Sequence, residues 1–297
     1  MTKNLFTAIV GRPNVGKSSL LNHILGEKIA IVSDKPQTTR NRITGVLTEG
    51  ELQYVFIDTP GMHKPKSKLG KFMVKQVGES VADVDAIIFV TEWEGHATSM
   101  EKEMAEGFSK SGAPVVLVIN KVDTLANKEL MLSKIAEMSA LYDFEAVVPL
   151  SAKTGEGVDA LFEELSKLAV EGPHFFPDDT LTDQPERAIV AEIIREKILR
   201  NMRDEIPHGT AVVIERMRER PDANIIDIDA TIVCERESHK GMIIGKRGTM
   251  LKKILTEARM DSESFLDCKI NLQCWVKVRE NWRDSDTQLK NFGFSEN

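Results

Sequence analysis

Between residues 6 and 170, short runs dense in valine, isoleucine and phenylalanine alternate with longer amphipathic stretches. That alternation is the pattern of a mostly parallel sheet with helices on both faces, and it makes the first half of the chain α/β. The runs at 7–10, 54–57, 86–90, 115–119 and 146–150 are almost continuously apolar, as suits strands buried on both faces. Residues 43–49 are expected to add an antiparallel edge, and 19–25 to form the first amphipathic helix.

The pattern changes after residue 170. Residues 171–185 read EGPHFFPDDTLTDQP, with three prolines and four acidic residues, which cannot continue a helix and predicts a linker. Beyond it, Val190, Ile194 and Ile198 mark one stripe of a helix expected over 187–202. Ile226, Ile228, Ala230 and Ile232 alternate with Asp227, Asp229 and Thr231; Ile270, Leu272, Cys274, Val276 and Val278 alternate with Asn271, Gln273, Trp275 and Lys277. A period of two predicts half-buried strands with one solvated face. The organisation expected is therefore an α/β domain over 1–170, a linker over 171–185 and an α+β domain over 186–297.

A length of 297 residues accommodates two such domains with separate cores. No apolar run approaches the ~20 residues that a bilayer crossing needs. The N-terminus passes straight into a strand, without the apolar region and cleavage site of a secretory signal. Cys234, Cys268 and Cys274 have neither zinc-finger nor Cys-x-x-Cys spacing and are expected to be small buried side chains in a reducing compartment. The net charge of −7 falls on the first 185 residues, because the remainder carries 20 Lys+Arg and 20 Asp+Glu. Overall acidity thus leaves room for a nucleic-acid surface in the second part.

Gly11-Arg12-Pro13-Asn14-Val15-Gly16-Lys17-Ser18 fits GxxxxGK[ST] and stands between a strand and the helix opened by Ser19, the context a phosphate loop requires. Its amides would face the phosphates at a helix N-terminus. Lys17 is expected to reach the β- and γ-phosphates and the Ser18 hydroxyl to coordinate magnesium. Phosphate binding alone leaves the base open. Asn120-Lys121-Val122-Asp123 follows the strand at 115–119, so it stands at the carboxyl edge of the same sheet. The Asp123 carboxylate can accept from guanine's ring N–H and exocyclic amine, a donor pair that adenine lacks. Ser151-Ala152-Lys153 would support the base from the other side. Asp58-Thr59-Pro60-Gly61 follows the strand at 54–57; Asp58 is expected to act on magnesium through water, and the Gly61 amide on the γ-phosphate. Thr39, in Pro36-Gln37-Thr38-Thr39-Arg40, is the better placed of two threonines to close onto the metal and γ-phosphate. Lys17, Thr39 and Gly61 are the expected catalytic groups.

Four such motifs, in order and each after a strand, resemble the translation-factor-like GTPases. Many switch GTPases orient the attacking water with a glutamine just after the DxxG glycine, but Met62 stands here. A thioether cannot do that, so the resemblance implies help from backbone, other side chains, an ion or a partner. In several relatives an asparagine three residues before the loop lysine helps hold potassium, and Asn14 matches that position.

Between Lys240 and Lys253 there are five basic residues and no acidic one. Gly245-Lys246-Arg247-Gly248 lies between a short apolar segment and a helix bearing Leu251, Ile254 and Leu255. The glycines permit close approach to a phosphodiester chain and the cations add counterion release. In a helix–strand–strand–helix–helix–strand order this resembles a type II KH domain, whose GXXG loop clamps single-stranded RNA. Lys240, Ile243, Ile244, Lys252 and Lys253, with the GKRG loop, are the expected RNA contacts. Trp275 could stack a base or take part in interdomain packing; Arg279, Trp282 and Arg283 read as a basic aromatic cluster or a solvated helix cap.

GRPNVGKSSLLN, PQTTRNRI, DTPGMHKP, NKVD, SAKTGEGVDAL, PERAIVAEIIREKILR, KGMIIGKRG and WVKVRENWRD occur in that order. Together they resemble, over essentially the full chain, the Era family of bacterial GTPases with a C-terminal KH domain. The resemblance implies a role in small ribosomal subunit assembly, a KH domain on 16S ribosomal RNA near its 3′ end, and a cytoplasmic protein peripherally associated with the inner membrane face. A different class stays open at this point: an RNA-binding scaffold whose guanine nucleotide is structural or very slowly hydrolysed.

Overall fold

The apolar runs of the first half become one sheet in the computed structural model, which describes residues 1–294 except His63, Lys64, Lys66, Ala126 and Asp222. Its strands are β1 (Lys3–Val10), β2 (Ile43–Glu49), β3 (Leu52–Asp58), β4 (Ala86–Glu92), β5 (Val115–Asn120), β6 (Ala146–Pro149) and β7 (Val170–Glu171). The order is β2-β3-β1-β4-β5-β6, with β7 beside the start of β1. Neighbours run parallel except at β2–β3 and β1–β7. Helices α1 (Lys17–Leu25), α2 (Lys68–Ala82), α3 (Ser99–Phe108), α4 (Lys128–Ser139) and α5 (Val158–Lys167) connect them. Val77 of α2, Met104 and Phe108 of α3 and Met138 of α4 pack on Ala8, Val10, Ile87 and Phe89. Phe162 of α5 packs edge-on against Tyr54 and Phe56.

The expected linker is more ordered than its composition suggests. The buried Gln53 side chain accepts from the Phe175 and Phe176 amides at 2.8 and 3.0 Å and donates to the Phe176 carbonyl at 2.9 Å. Farther on, the Leu181 carbonyl accepts from the Val46 amide, and Thr182 bridges to Gly45 on the edge strand β2. These bonds satisfy backbone groups that prolines and acidic residues leave without a ladder of their own. The first compact unit extends to Asp183 and the second resumes at Gln184, so most of the expected linker over 171–185 packs with the first unit. Two short excursions, Ile31–Thr38 and Pro65–Phe72, belong instead to the second unit.

In that second unit the order is α6 (Glu186–Asn201), β8 (Ala211–Glu219), β9 (Ile225–Cys234), α7 (Glu237–Ile244), α8 (Thr249–Leu266) and β10 (Lys269–Val278), closed by α9 (Asp286–Asn291). The sheet runs β10-β9-β8, with β9–β10 parallel and β8–β9 antiparallel, which is the expected αββααβ arrangement. The predicted apolar stripe of α6 packs with Ile228, Ala230 and Ile232 of β9 and Ile254 of α8. The polar side of α6 is buried too. Glu196 accepts from the Val32 amide at 3.0 Å, while Arg195 donates to the Thr38 carbonyl and Lys35 to the Leu199 and Met202 carbonyls. Trp282 is fully buried, donates to the Gly209 carbonyl at 3.0 Å and packs on Phe292 and Phe294. Arg283 pairs with Glu235, so Trp282 and Arg283 serve packing at this end of the unit.

Candidate functional site

The phosphate loop leaves β1 at Val10 and enters α1 at Lys17, with Gly16 in the left-handed region. Lys17 is buried, and its ammonium donates to the Gly11 and Arg12 carbonyls at 3.1 and 3.2 Å, curling over the loop that carries it. Burial pulls Lys17 down to about 8, opposed by the Asp58 charge; a phosphate anion beside it would favour the charged form.

Three hard oxygen donors converge next to it. The Ser18 hydroxyl donates to Asp58 Oδ2 at 2.6 Å and lies 2.8 Å from the Thr39 hydroxyl. Asp58, at the end of β3, is fully buried; burial pushes it up to about 6 although Lys17, the Ser18 and Thr39 hydroxyls and the Thr59 amide pull the other way. Its second oxygen, Oδ1, has no hydrogen-bond partner among the described residues. A buried carboxylate left with an open lone pair beside two hydroxyls fits a small hard cation such as magnesium. Of the two candidate threonines, Thr39 reaches this set, while the Thr38 hydroxyl is bonded to the Lys35 carbonyl.

The turn after β3 lies directly on the phosphate loop. A Cβ on Gly61 would stand 2.8 Å from Pro13 Cα and 2.9 Å from its nitrogen, closer than non-bonded atoms approach. The Met62 amide donates to the Gly11 carbonyl at 3.3 Å, and its side chain packs against the apolar core. The Met62 side chain carries no hydrogen-bond donor. His63 and Lys64 of the DTPGMHKP motif lie outside the described residues.

On the other side, Asn120 ties three loops together. Its Nδ2 donates to the Val15 carbonyl at 2.8 Å, and its Oδ1 accepts from the Lys121 and Ala152 amides at 2.7 and 2.9 Å. With its side chain so engaged, Asn120 braces the junction of these loops. The Asp123 carboxylate accepts from the Ser151 hydroxyl at 2.8 Å, and the exposed Lys153 ammonium stands 4.0 Å away. Lys121 donates to the Asn14 carbonyl at 3.0 Å. The Arg12 guanidinium pairs with Glu92 and Glu101. Motif reading passed over both glutamates. One signal was available: Thr98-Ser99-Met100-Glu101 is a capping-box pattern, and both of its reciprocal bonds form at the start of α3.

The second unit carries an open basic site. Gly245 has φ +73, and a Cβ there would lie 2.6 Å from Met250 Cβ and 2.9 Å from its nitrogen, so only glycine admits the turn into α8. Lys246 and Arg247 are exposed. Beside the loop runs a groove of about 370 Å³ lined by Gly248, Leu251, Lys252, Leu255, Thr256, Arg259 and Leu272. Leu255, Thr256 and Arg259 continue the helical pitch set by Leu251 and Lys252, a stripe that the basic motif alone does not mark. Lys240 and Lys253 flank the loop region and pair with Glu237 and Glu257 at 3.8 and 3.9 Å. One expected RNA contact is corrected: Ile243 is fully buried in the hydrophobic core, and Ile244 is the partly buried neighbour packed against that core. Trp275 is 50 % exposed on the outer strand face.

Loops suited to phosphates at one strand end and to a purine edge at another occur together in P-loop GTPases, and the second unit has the architecture of a KH domain. A family model described as 50S ribosome-binding GTPase matches residues 6–121, and one described as KH domain matches residues 205–283. The chain belongs to the Era family of GTPases. It is 49% identical over 300 residues to GTPase Era of Clostridioides difficile, covering 100% of both chains. To GTPase Era of Geobacter metallireducens it is 50% identical over 290 residues, 98% of this chain and 97% of that one. Two solved structures match along the whole fold. Era in complex with MgGDPNP and nucleotides 1506–1542 of 16S ribosomal RNA is 36% identical with a TM-score of 0.95, covering 100% of both chains. An Aquifex aeolicus Era bound to GDP.AlF4- is 36% identical with a TM-score of 0.96, covering 99% of this chain and 100% of that one.

Proposed function

We propose that this GTPase uses magnesium and GTP to control engagement of 16S ribosomal RNA near its 3′ end, and so assists small ribosomal subunit assembly. The observation that carries this reading is the exposed GKRG loop beside an open groove, in a chain whose 36%-identical full-length relative was solved with that RNA segment and MgGDPNP. Lys17 holds the β- and γ-phosphates, Ser18, Thr39 and Asp58 form the magnesium set, and the Gly61 amide meets the γ-phosphate. Magnesium, when bound, neutralises charge that develops on the phosphate oxygens. Asp123 reads guanine, braced by Ser151, Ala152 and Asn120. Lys246 and Arg247 meet the RNA backbone, with Lys252 and Ile244 beside them.

Chain connectivity supplies a path for control. Ile31–Thr38 belongs to the second unit and Thr39 to the first, so the residue that closes on magnesium is bonded directly to a segment held by α6. Linkage requires RNA and nucleotide to affect each other's affinity by the same free energy, typically ~1 to 3 kcal/mol. Binding of an RNA spanning nucleotides 1506–1542 is expected to differ between the GTP-analogue, GDP and nucleotide-free states. Equal affinity in all three rejects the control, and no preference over a scrambled RNA rejects the target.

Met62 offers no polar group to the attacking water, and Asn14, exposed with φ 65, is our candidate potassium ligand. Faster turnover in potassium than in sodium buffer is expected; equal rates remove that role. A peripheral membrane contact is part of the same proposal; no helix among the described residues is long and apolar enough to cross a membrane.

A further inference from the structure

Glu92, the last residue of β4, stands between the two loops of the nucleotide site. Its Oε2 accepts from Arg12 Nη2 at 2.9 Å, and its Oε1 accepts from the Lys121 ammonium. Arg12 belongs to the phosphate loop and Lys121 to the loop that carries Asp123. The two loops also meet where Lys121 donates to the Asn14 carbonyl. Each carboxylate oxygen of Glu92 is thus committed to a cation from a different motif.

Behind this clasp lies a second carboxylate. Glu101, fully buried in α3, accepts from Arg12 Nε at 3.3 Å with Oε1, which the Thr91 hydroxyl also reaches. Its Oε2 accepts from the Thr98 amide and hydroxyl, each at 2.8 Å. Burial pushes the Glu101 carboxyl up, but the Thr91 and Thr98 bonds and the Lys134 charge outweigh it and hold the group below its ordinary value. An anion fixed in this way holds the guanidinium in one orientation and leaves Glu92 in place to reach Lys121. Charge-assisted hydrogen bonds of this kind are roughly twice as strong as neutral ones and directional.

The geometry points to Glu92 as a positioning residue that couples phosphate recognition to base recognition: one carboxylate holds a cation of each loop, so displacing either loop loosens the other. The inference rests on the reading of Lys121 to Asp123 as the base loop. Glu92 touches neither phosphate nor base in this role, and its effect is to keep both loops preorganised before nucleotide arrives.

The test uses the full chain and measures dissociation constants for GDP, IDP and GMP, with kcat and KM for GTP. The IDP-to-GDP ratio reports the base loop, because hypoxanthine lacks the exocyclic amine; the GMP-to-GDP ratio reports the phosphate loop. Glu92→Gln should weaken GDP about tenfold and shrink both ratios. It should raise KM while kcat stays within about twofold, the pattern of lost uniform binding. Arg12→Ala is the sharper variant, because it alters the phosphate loop and leaves Asp123 and Ser151 intact. Coupling requires that it also lower discrimination against IDP. An unchanged IDP-to-GDP ratio in Arg12→Ala overturns the proposal, as does a Glu92→Gln protein that melts earlier but keeps both ratios. Asp123→Ala separates the two levels of inference. If it leaves the IDP-to-GDP ratio intact, the base loop is misassigned and the coupling falls with it; if it abolishes the ratio while Arg12→Ala does not change it, only the coupling fails.

Discussion

Residues 11–18 and 245–248 are both glycine-bounded basic loops that open a helix, yet one hides its cations and the other displays them. Lys17 is 5% exposed and bonded to two carbonyls of its own loop, and Arg12 is held by two glutamates. Lys246 and Arg247 stand in solvent on a stretch with no acidic residue between Lys240 and Lys253. Under the proposed function, the difference follows the ligand. A phosphate group of fixed size is recognised by donors held in advance at defined positions, so the loop's charges are neutralised or buried wherever they do not face it. A flexible polyanion is attracted by accessible charge that releases counterions, so the second loop keeps its cations free to adapt.

The largest effect is expected at Lys17. Lys17→Ala should lower single-turnover GTP cleavage by about 10² to 10³, the scale seen when one preorganised transition-state donor is lost, while nucleotide-free RNA binding persists. A parallel loss of nucleotide-free RNA binding would show that Lys17 serves more than the phosphate site. Next in size, replacing Lys246 and Arg247 by alanine should weaken RNA binding and flatten its salt dependence by about 0.7 in log–log slope for each phosphate that is no longer neutralised. GTP cleavage without RNA should stay unchanged. An unaltered salt slope would mean that other cations, such as Lys252 or Arg259, carry the charge. The smallest effect is expected at Gly245. Gly245→Ala forces a side chain into φ +73 and against Met250, a strain of about 1 to 3 kcal/mol, measurable by denaturant unfolding. No loss of stability there would show that the turn into α8 can rearrange.

Much of this site is legible residue by residue, and the reason is that loops at strand ends are local. A strand, a glycine-rich turn and a helix start occupy contiguous sequence, so Gly11 to Ser18 and Asn120 to Asp123 can be read where they stand. The same locality identifies Thr39, whose hydroxyl does meet Ser18. It fails for Ile243 and Ile244. Consecutive helical residues point about 100° apart, and nothing nearby in sequence says which isoleucine the core takes; Ile254 and the strands decide for Ile243. It fails also for Gln53, a polar residue inside a strand, whose amide fixes a segment more than a hundred residues later. Composition alone made that segment a linker.

Periodicity and short contiguous motifs are enough to read the α/β and αββααβ orders, the positions of both glycine loops and Asp123 as the candidate guanine reader from the residues alone. Long-range packing, by contrast, ties Asn120 to three loops and brings Arg12 to Glu92 and Glu101. It alone placed Ile31–Thr38 with the second unit. Those features join residues tens to more than a hundred positions apart. Hydrogen bonds and ion pairs between them exist only once a buried sheet has brought the strand ends together and excluded the water that would otherwise satisfy the same groups.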